Sequence, residues 1–190
     1  MRSFVENFPF FCIFLAIISG ILSAVVRDGR TAYRMSLSVS TVVAVLSAAV
    51  LYDSVVRDTS YIYTMGRFPA LIGNAIKVGP WQGLLSLVFG GVMALSLLGG
   101  SRDLFHDILP QKQPMYFTMV DLTLASLLAL TYTNDIFTGY VFIEISTIAA
   151  CAMVMAKDTG PNLIATIRYL FMSLLGSGLF LIGLTLLISI

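Results

Sequence analysis

The stretch FTGYVFIEISTIAACAMVM, residues 137–155, decides the fold of this chain. At about 1.5 Å per residue it is long enough to cross a hydrocarbon layer as a helix. Apart from Glu144, no charged residue lies between Asp135 and Lys157. Ionised groups are costly at bilayer depth and persist there mainly in ion paths, proton relays and buried pairs. The stretch therefore predicts a membrane helix in which Glu144 takes part in moving ions.

The composition of the whole chain also predicts a membrane protein. Hydrophobic residues make up 58% and charged residues 11% of the 190 residues, with a mean hydropathy of +0.93. A soluble domain of this length could not bury so much apolar surface, whereas lipid solvates it directly. The net charge of +1 gives no indication of binding to nucleic acid. We predict an all-α membrane protein with a single membrane domain, residues 1–190.

Six apolar stretches are each close to the length that a transmembrane helix needs. The predicted helices cover residues 8–26, 35–52, 81–98, 115–132, 137–155 and 169–190. The first stretch is not expected to be a cleaved signal peptide, because Glu6 follows Arg2 and the apolar run is long. Glycine and serine clusters in the third and sixth stretches predict close helix packing.

The connection between the second and third helices is the longest in the chain. Residues 53–80 are too polar, and too often interrupted by glycine and proline, to cross a membrane. Tyr61, Tyr63 and the turn-rich residues 65–69 predict a short extended hairpin over the helix ends, on the external side.

Basic residues predict the orientation. One set of loop residues comprises Arg27, Arg30, Arg34, Arg102, Lys112, Lys157 and Arg168; the opposite set comprises Arg2, Arg57, Arg67 and Lys77. Because short cytoplasmic loops are enriched in Lys and Arg, the amino terminus is expected outside. An even number of helices would return the carboxyl terminus to the same side.

Polar residues accompany Glu144 on its helix face. Tyr140, Thr147 and Cys151 lie four, three and seven residues away, and these spacings share one side of a helix. The hydroxyls of Tyr140 and Thr147 are expected to bond the carboxylate or to hold a water molecule beside it, as a proton relay requires. The alternative is a buried carboxyl group that only pairs with a neighbouring helix.

Two further titratable residues are candidates for proton transfer. Asp121 lies about 9 Å along the fourth helix from Met115, which is compatible with proton uptake from the cytoplasm or with a side chain that snorkels to the helix end. His106 lies close in sequence to Asp103, Asp107 and Lys112. It is either a proton donor where protons enter the protein or a solvated loop histidine.

The sequence does not contain the sets of residues that several kinds of chemistry require. Cys12 and Cys151 both lie in apolar runs, and a single histidine cannot build a metal site alone. There is no nucleophile–base pair, no phosphate-binding loop and no set of haem or iron–sulfur ligands. No catalytic residue, metal or cofactor is therefore expected in this chain, and any redox chemistry is expected in partner subunits.

Three sequence segments resemble a known family. The run YTNDIFTGYVFIEI, residues 132–145, resembles the fifth transmembrane helix of antiporter-like subunits of respiratory complex I, Mrp-type cation/proton antiporters and membrane-bound nickel-iron hydrogenases. Residues 65–70, with Gly73-Asn74 and Gly79-Pro80, resemble the external loop of that family. Arg168-Tyr169-Leu170 with residues 174–177 resembles its sixth helix.

This resemblance implies that Glu144 is the membrane glutamate that pairs with a lysine on a later, broken helix. It also implies a fold of about fourteen helices in two inverted halves, of which this chain resembles the first part. Neither the lysine nor the broken helices occur in residues 1–190. Asp121 has no counterpart in the family pattern that these residues match.

The expected function follows from this resemblance. The chain is expected to be a split or truncated antiporter-like subunit of a redox-driven proton- or sodium-translocating complex, such as a membrane-bound hydrogenase, in the plasma membrane of a prokaryote. The expected partners are a chain that supplies the lysine-bearing half, other membrane subunits, redox subunits and the lipid bilayer. Two alternatives stay open, namely a subunit of an Mrp-type antiporter and a purely structural scaffold.

Overall fold

The protein is a bundle of six long helices with one small hairpin. The computed structural model describes residues 7–57, 60–64, 75–157 and 159–189. Its helices are α1 (Phe8–Val25), α2 (Gly29–Arg57), α3 (Pro80–Asp107), α4 (Gln113–Tyr132), α5 (Ile136–Met155) and α6 (Gly160–Ser189). Each of the six is long and apolar enough to span a membrane. The predicted all-helical membrane fold is confirmed.

Three helices are longer than their apolar stretches. α2 begins at Gly29 rather than residue 35, α3 ends at Asp107 rather than residue 98, and α6 begins at Gly160 rather than residue 169. Hydropathy detects only the part of a helix that lipid would surround, whereas backbone hydrogen bonding continues into polar turns. As a consequence, Arg168 lies within α6 and not in the loop before it.

α4 lies at the centre of the bundle. It contacts α1, α2, α3 and α5. The side chains of Phe117, Leu124, Leu128 and Tyr132 are almost fully buried. α6 differs, since its main packing partner is α5. The core of the described part therefore lies within α1 to α4.

Two glycines bring α2 and α3 close together. A methyl group built at Gly83 would lie 3.0 Å from Leu51 Cα, and one at Gly90 would lie 3.1 Å from Ala44 N. At Gly91 the same test meets nothing within 4 Å. The predicted close packing in the third helix therefore depends on Gly83 and Gly90, and not on Gly91.

The predicted hairpin forms between α2 and α3. Strands β1 (Tyr61–Thr64) and β2 (Ala75–Val78) pair antiparallel, with Tyr61 opposite Val78. Ile76 makes a further bridge to Thr133, directly after α4. The hairpin thus covers the bundle end where α4 stops and α5 begins. Residues 65–74, which include the predicted turn and the segment that resembles the family loop, lie outside the described residues.

Candidate ion-translocation site

α5 begins where Asp135 caps it. The Asp135 carboxylate accepts hydrogen bonds from Thr138 N at 2.8 Å and from Thr138 Oγ1 at 2.6 Å. These bonds satisfy a donor of the first helical turn that would otherwise be free. They also lower the pKa of Asp135, because they stabilise its charged form. This cap sets where the helix that carries Glu144 starts.

Glu144 lies eight residues into α5, about 12 Å along its axis. Its side chain is partly buried, and its Oε1 atom is buried without a hydrogen-bond partner among the described residues. A buried carboxyl oxygen without a partner is unfavourable in a protein interior and more so in lipid. The geometry therefore leaves Glu144 with an unmet need for a donor or a cation.

The two hydroxyls near Glu144 do not bond its carboxylate in the structure. Thr147 Oγ1 donates instead to the main-chain oxygen of Glu144, at 2.9 Å. The Tyr140 ring stacks on Phe180 of α6, with centroids 5.8 Å apart and planes 10° apart. A hydroxyl within a helix commonly bonds a carbonyl one turn earlier, and this competes with longer-range bonds. Helical spacing placed these residues on one face but did not determine their bonds.

Asp121 is fully buried between three helices. Its Oδ2 atom accepts hydrogen bonds from Ser19 Oγ of α1 at 2.6 Å and from Ser36 Oγ of α2 at 2.9 Å. The snorkelling alternative is therefore wrong, because the side chain is 0% exposed and is held from both sides. Gly20 of α1 faces the same carboxyl group, and a methyl group there would make ordinary van der Waals contact with Asp121 Cβ, at 3.5 Å.

His106 lies in the last turn of α3 rather than in a loop. Its side chain is 89% exposed, and Nδ1 lies 3.3 Å from Asp107 Oδ1. Asp107 in turn accepts a hydrogen bond from Lys157 Nζ at 2.7 Å. His106 is thus available to solvent at the bundle end that carries the loops before α2, α4 and α6. Its role as a place where protons enter stays a prediction.

The serines that bind Asp121 were not among the residues that the sequence predicted for the site. The signal in the sequence is a set of hydroxyls at spacings of four and seven on α2, and all of them are buried: Ser36, Ser40, Ser47 and Ser54. A second buried pair joins Ser86 Oγ and the Tyr132 hydroxyl at 2.7 Å. Cys12 and Cys151 are free and buried, in keeping with packing residues.

The fold defines a class of protein. On a chain of the membrane-bound sulfane sulfur reductase, an archaeal respiratory membrane complex, the TM-score is 0.79 at 21% identity. This match covers 94% of this chain and 36% of that chain. On a chain of the Mrp complex from Dietzia sp. DQ12-45-1b, the TM-score is 0.82 at 16% identity, over 95% of this chain and 34% of that one. The six helices therefore have an antiporter-like membrane fold.

Sequence similarity leads to the same class. The chain is 28% identical over 149 residues to NADH-quinone oxidoreductase subunit N of Desulforudis audaxviator (strain MP104C), which covers 77% of this chain and 29% of that protein. It is 22% identical over 178 residues to the D subunit of the Na(+)/H(+) antiporter of Bacillus subtilis (strain 168). This match covers 94% of this chain and 36% of that protein. No protein-family model matches the chain. The resemblance to antiporter-like membrane subunits, predicted from the sequence, is confirmed.

The chain spans only part of these relatives. The matches cover 29% and 36% of the two curated proteins. The six helices therefore correspond to about a third of an antiporter-like subunit.

Proposed function

We propose that this chain is an antiporter-like subunit of a redox-driven proton- or sodium-translocating membrane complex, in which Glu144 is the carboxylate that exchanges the ion. The observation that carries the proposal is the buried Oε1 atom of Glu144, which has no hydrogen-bond partner among the described residues. Carboxylates within the membrane usually have a function, because a charged group is energetically costly in the bilayer.

The proposal includes a partner chain beside α5 and α6. Gly176 and Gly178 of α6 meet nothing within 4 Å when a methyl group is built on them, so no helix of the described chain packs there. A neighbouring chain that supplies a lysine or arginine would stabilise the ionised form of Glu144. We expect such a cation within hydrogen-bond reach of Glu144 in the assembled complex, or joined to it by a short chain of water molecules.

Redox coupling is supported by the chemistry of two relatives. One is a subunit of a quinone oxidoreductase and the other belongs to a sulfane sulfur reductase complex. The alternative, a subunit of an Mrp-type antiporter, is supported by the matches to the Bacillus subtilis protein and the Dietzia complex. The subunits that co-purify with this chain from membranes distinguish the two, since only the first complex contains electron-carrying subunits such as those of a hydrogenase.

Localisation follows from the same proposal. The six spans among the described residues support a multi-pass membrane protein, and the bacterial relatives support the plasma membrane of a prokaryote. We place the amino terminus outside, because the described loops at the opposite end carry Arg27, Lys112 and Lys157. Cysteines placed at the exposed ends of α1 and α3 test this orientation. Their labelling by a reagent outside intact cells shows which ends face outwards.

The decisive test replaces Glu144 in the assembled complex. Glu144→Gln keeps the shape of the side chain and removes the titratable group. We expect ion translocation in sealed vesicles to fall about 100-fold or more, in line with the loss of a positioned proton-exchanging group. Glu144→Asp is expected to retain part of the activity. Asp103→Asn, which neutralises an exposed acid of α3, is the matched control.

The scaffold hypothesis makes the opposite prediction for the same variant. If a fully assembled Glu144→Gln complex moves ions at the normal rate, the chain only seals and braces the assembly. Subunit stoichiometry after purification shows that assembly is intact in either case.

A further inference from the structure

The carboxyl group of Asp121 occupies a closed polar site that is separate from Glu144. The site lies where α1, α2 and α4 meet, and its four side chains are at most 3% exposed: Ser19, Ser23, Ser36 and Asp121. Ser19 and Ser36 both donate to the same oxygen of Asp121, Oδ2. Ser23, one turn beyond Ser19, also faces this carboxyl group.

No charged partner acts on Asp121 within the described residues. The basic residues nearest in sequence on the packed helices, Arg27 and Arg34, are exposed. Other titratable groups on α1, α2 and α4 include Cys12 near Tyr132 and Tyr33 against Phe117, and α5 carries Glu144 and Cys151. An ionised carboxylate at this position would be a buried charge without a counterion, which is strongly unfavourable.

The hydrogen bonds of the carboxyl group are asymmetric. Oδ2 accepts two bonds, whereas Oδ1 is buried and accepts none, and Ser23 Oγ is buried without a partner. A protonated carboxyl group has one carbonyl oxygen that accepts and one hydroxyl that donates. Oδ2 as the carbonyl oxygen accounts for its two bonds, and Oδ1 as the hydroxyl has Ser23 Oγ, which is also without a partner, as its candidate acceptor.

We propose that Asp121, Ser19 and Ser36 form an occluded binding site for one exchangeable proton, distinct from the Glu144 site. Asp121 is neutral when the site is occupied, with the proton on Oδ1 and Ser23 Oγ as its acceptor. Release transfers the proton to water and leaves a carboxylate that must be hydrated. No other bond forms or breaks.

Exchange at this site requires α1 to move away from α4. Asp121 is fully buried and Ser19 bonds it directly, so water has no path to the carboxyl group while these contacts persist. Loss of the proton favours the separated arrangement because a charged Asp121 needs water. The site therefore couples proton occupancy to the packing of α1 against the core.

A small monovalent cation is the competing occupant. Asp121 and the three serines offer five oxygen atoms, which are the donors that sodium prefers over nitrogen or sulfur. Sodium would supply the same single positive charge as a proton. A bound sodium ion would be coordinated by both carboxylate oxygens and by the serine oxygens. Oδ1 would then have to lose its proton.

Infrared difference spectroscopy of the purified complex tests the proposal. At neutral pH we expect a carboxylic-acid carbonyl band equivalent to one group per chain, absent in Asp121→Asn and present in Glu144→Gln. Ser19→Ala, which removes one hydrogen bond to Oδ2, is expected to shift the band to higher frequency. Ser38→Ala, an exposed serine on the same helix as Ser36, is the matched control and leaves the band in place.

Two outcomes overturn the proposal. Identical spectra for the parent complex and Asp121→Asn would show that Asp121 carries no proton. A band that Asp121→Asn lacks, and that disappears from the parent when sodium replaces potassium, would assign the site to sodium. Because the spectra measure occupancy and not transport, their result is independent of whether Glu144→Gln stops translocation. Asp121→Asn keeps an acceptor for both serines, and its thermal midpoint is expected within about 4 °C of the parent, a shift of under about 1 kcal/mol.

Discussion

The helices α1 to α4 and the pair α5 and α6 use polar residues differently. In α1 to α4 most buried hydroxyls donate to a group on the same or a neighbouring helix, as Ser19 does to Asp121 and Ser86 to the main-chain oxygen of Gly83. In α5 the buried oxygen of Glu144 has no partner among the described residues, and α6 buries only Thr166 and Leu184 among its described side chains.

This difference indicates where the chain is complete in itself and where it is not. α4 packs on four other helices, and its Asp121 Oδ2 and Tyr132 hydroxyl find hydrogen-bond partners on those helices. α6 packs mainly on α5, and its glycine side faces outwards. In lipid, small residues on such a side are favourable sites for another helix, because backbones approach closely there.

The largest expected effect concerns the chain without partners. Expressed alone in detergent or liposomes, it is expected to exchange amide hydrogens at least about tenfold faster in α5 and α6 than in α4, since few contacts hold them. Within the complex this difference should shrink. Hydrogen-exchange mass spectrometry measures both. A stable isolated monomer with equal protection in α4 and α6, and with ion transport, would contradict the proposed partner.

The second-largest expected effect is the loss of stability when Gly90, the α3 glycine that contacts α2, is replaced. Gly90→Leu forces a side chain into Ala44 of α2, and we expect a loss of about 1–3 kcal/mol or more in stability. Gly91→Leu is the matched control on the same helix, where the space is free, and should be neutral or slightly stabilising. Thermal unfolding of the complex, followed by size-exclusion chromatography, separates the two. Equal losses would mean that α2 and α3 do not pack as described.

The cap of α5 is expected to have a smaller effect. Asp135→Ala removes the acceptor for Thr138 N and should destabilise α5 by about 1 kcal/mol. The lowered pKa of Asp135 makes this contribution pH dependent. It is fully present above the unfolded-state pKa of about 4 and is lost as pH falls through the lower, folded-state value.

The amide variant separates the cap from its charge. Asp135→Asn keeps the cap and should remove the dependence on acid pH. Unfolding midpoints at neutral pH and below about pH 4 measure both effects. A midpoint of Asp135→Asn that falls with acid as steeply as that of the parent would assign the dependence to another group.

The smallest expected effect is at the exposed ion pair that joins α3 to the loop after α5. Lys157→Gln breaks the 2.7 Å contact with Asp107. Exposed pairs contribute little, because water screens the charges and both side chains lose freedom. We expect no measurable change in the unfolding midpoint or in ion translocation. A clear loss of translocation would instead connect this end of the bundle, with His106, to the ion path.

The apolar pattern predicted six helices because each stretch must match the thickness of the bilayer. It did not predict that α2, α3 and α6 extend beyond their apolar parts, since solvent-exposed turns carry no hydropathy signal. Glu144 was evident from one charge in a long apolar run. Asp121 was visible for the same reason, but its depth along α4 did not tell whether it snorkels or is enclosed.

Residue types and spacing by themselves determined that this chain is a helical membrane protein, that Glu144 lies within a long apolar helix, and that a hairpin separates the second and third helices. These properties depend on local composition and on helical periodicity. The tertiary structure alone decided that Ser19 and Ser36 meet Asp121, although they lie 102 and 85 residues away in sequence. It also decided that Thr147 bonds a main-chain oxygen rather than the carboxylate of Glu144. Such bonds are fixed by how helices pack and rotate against one another, and that packing depends on the whole bundle.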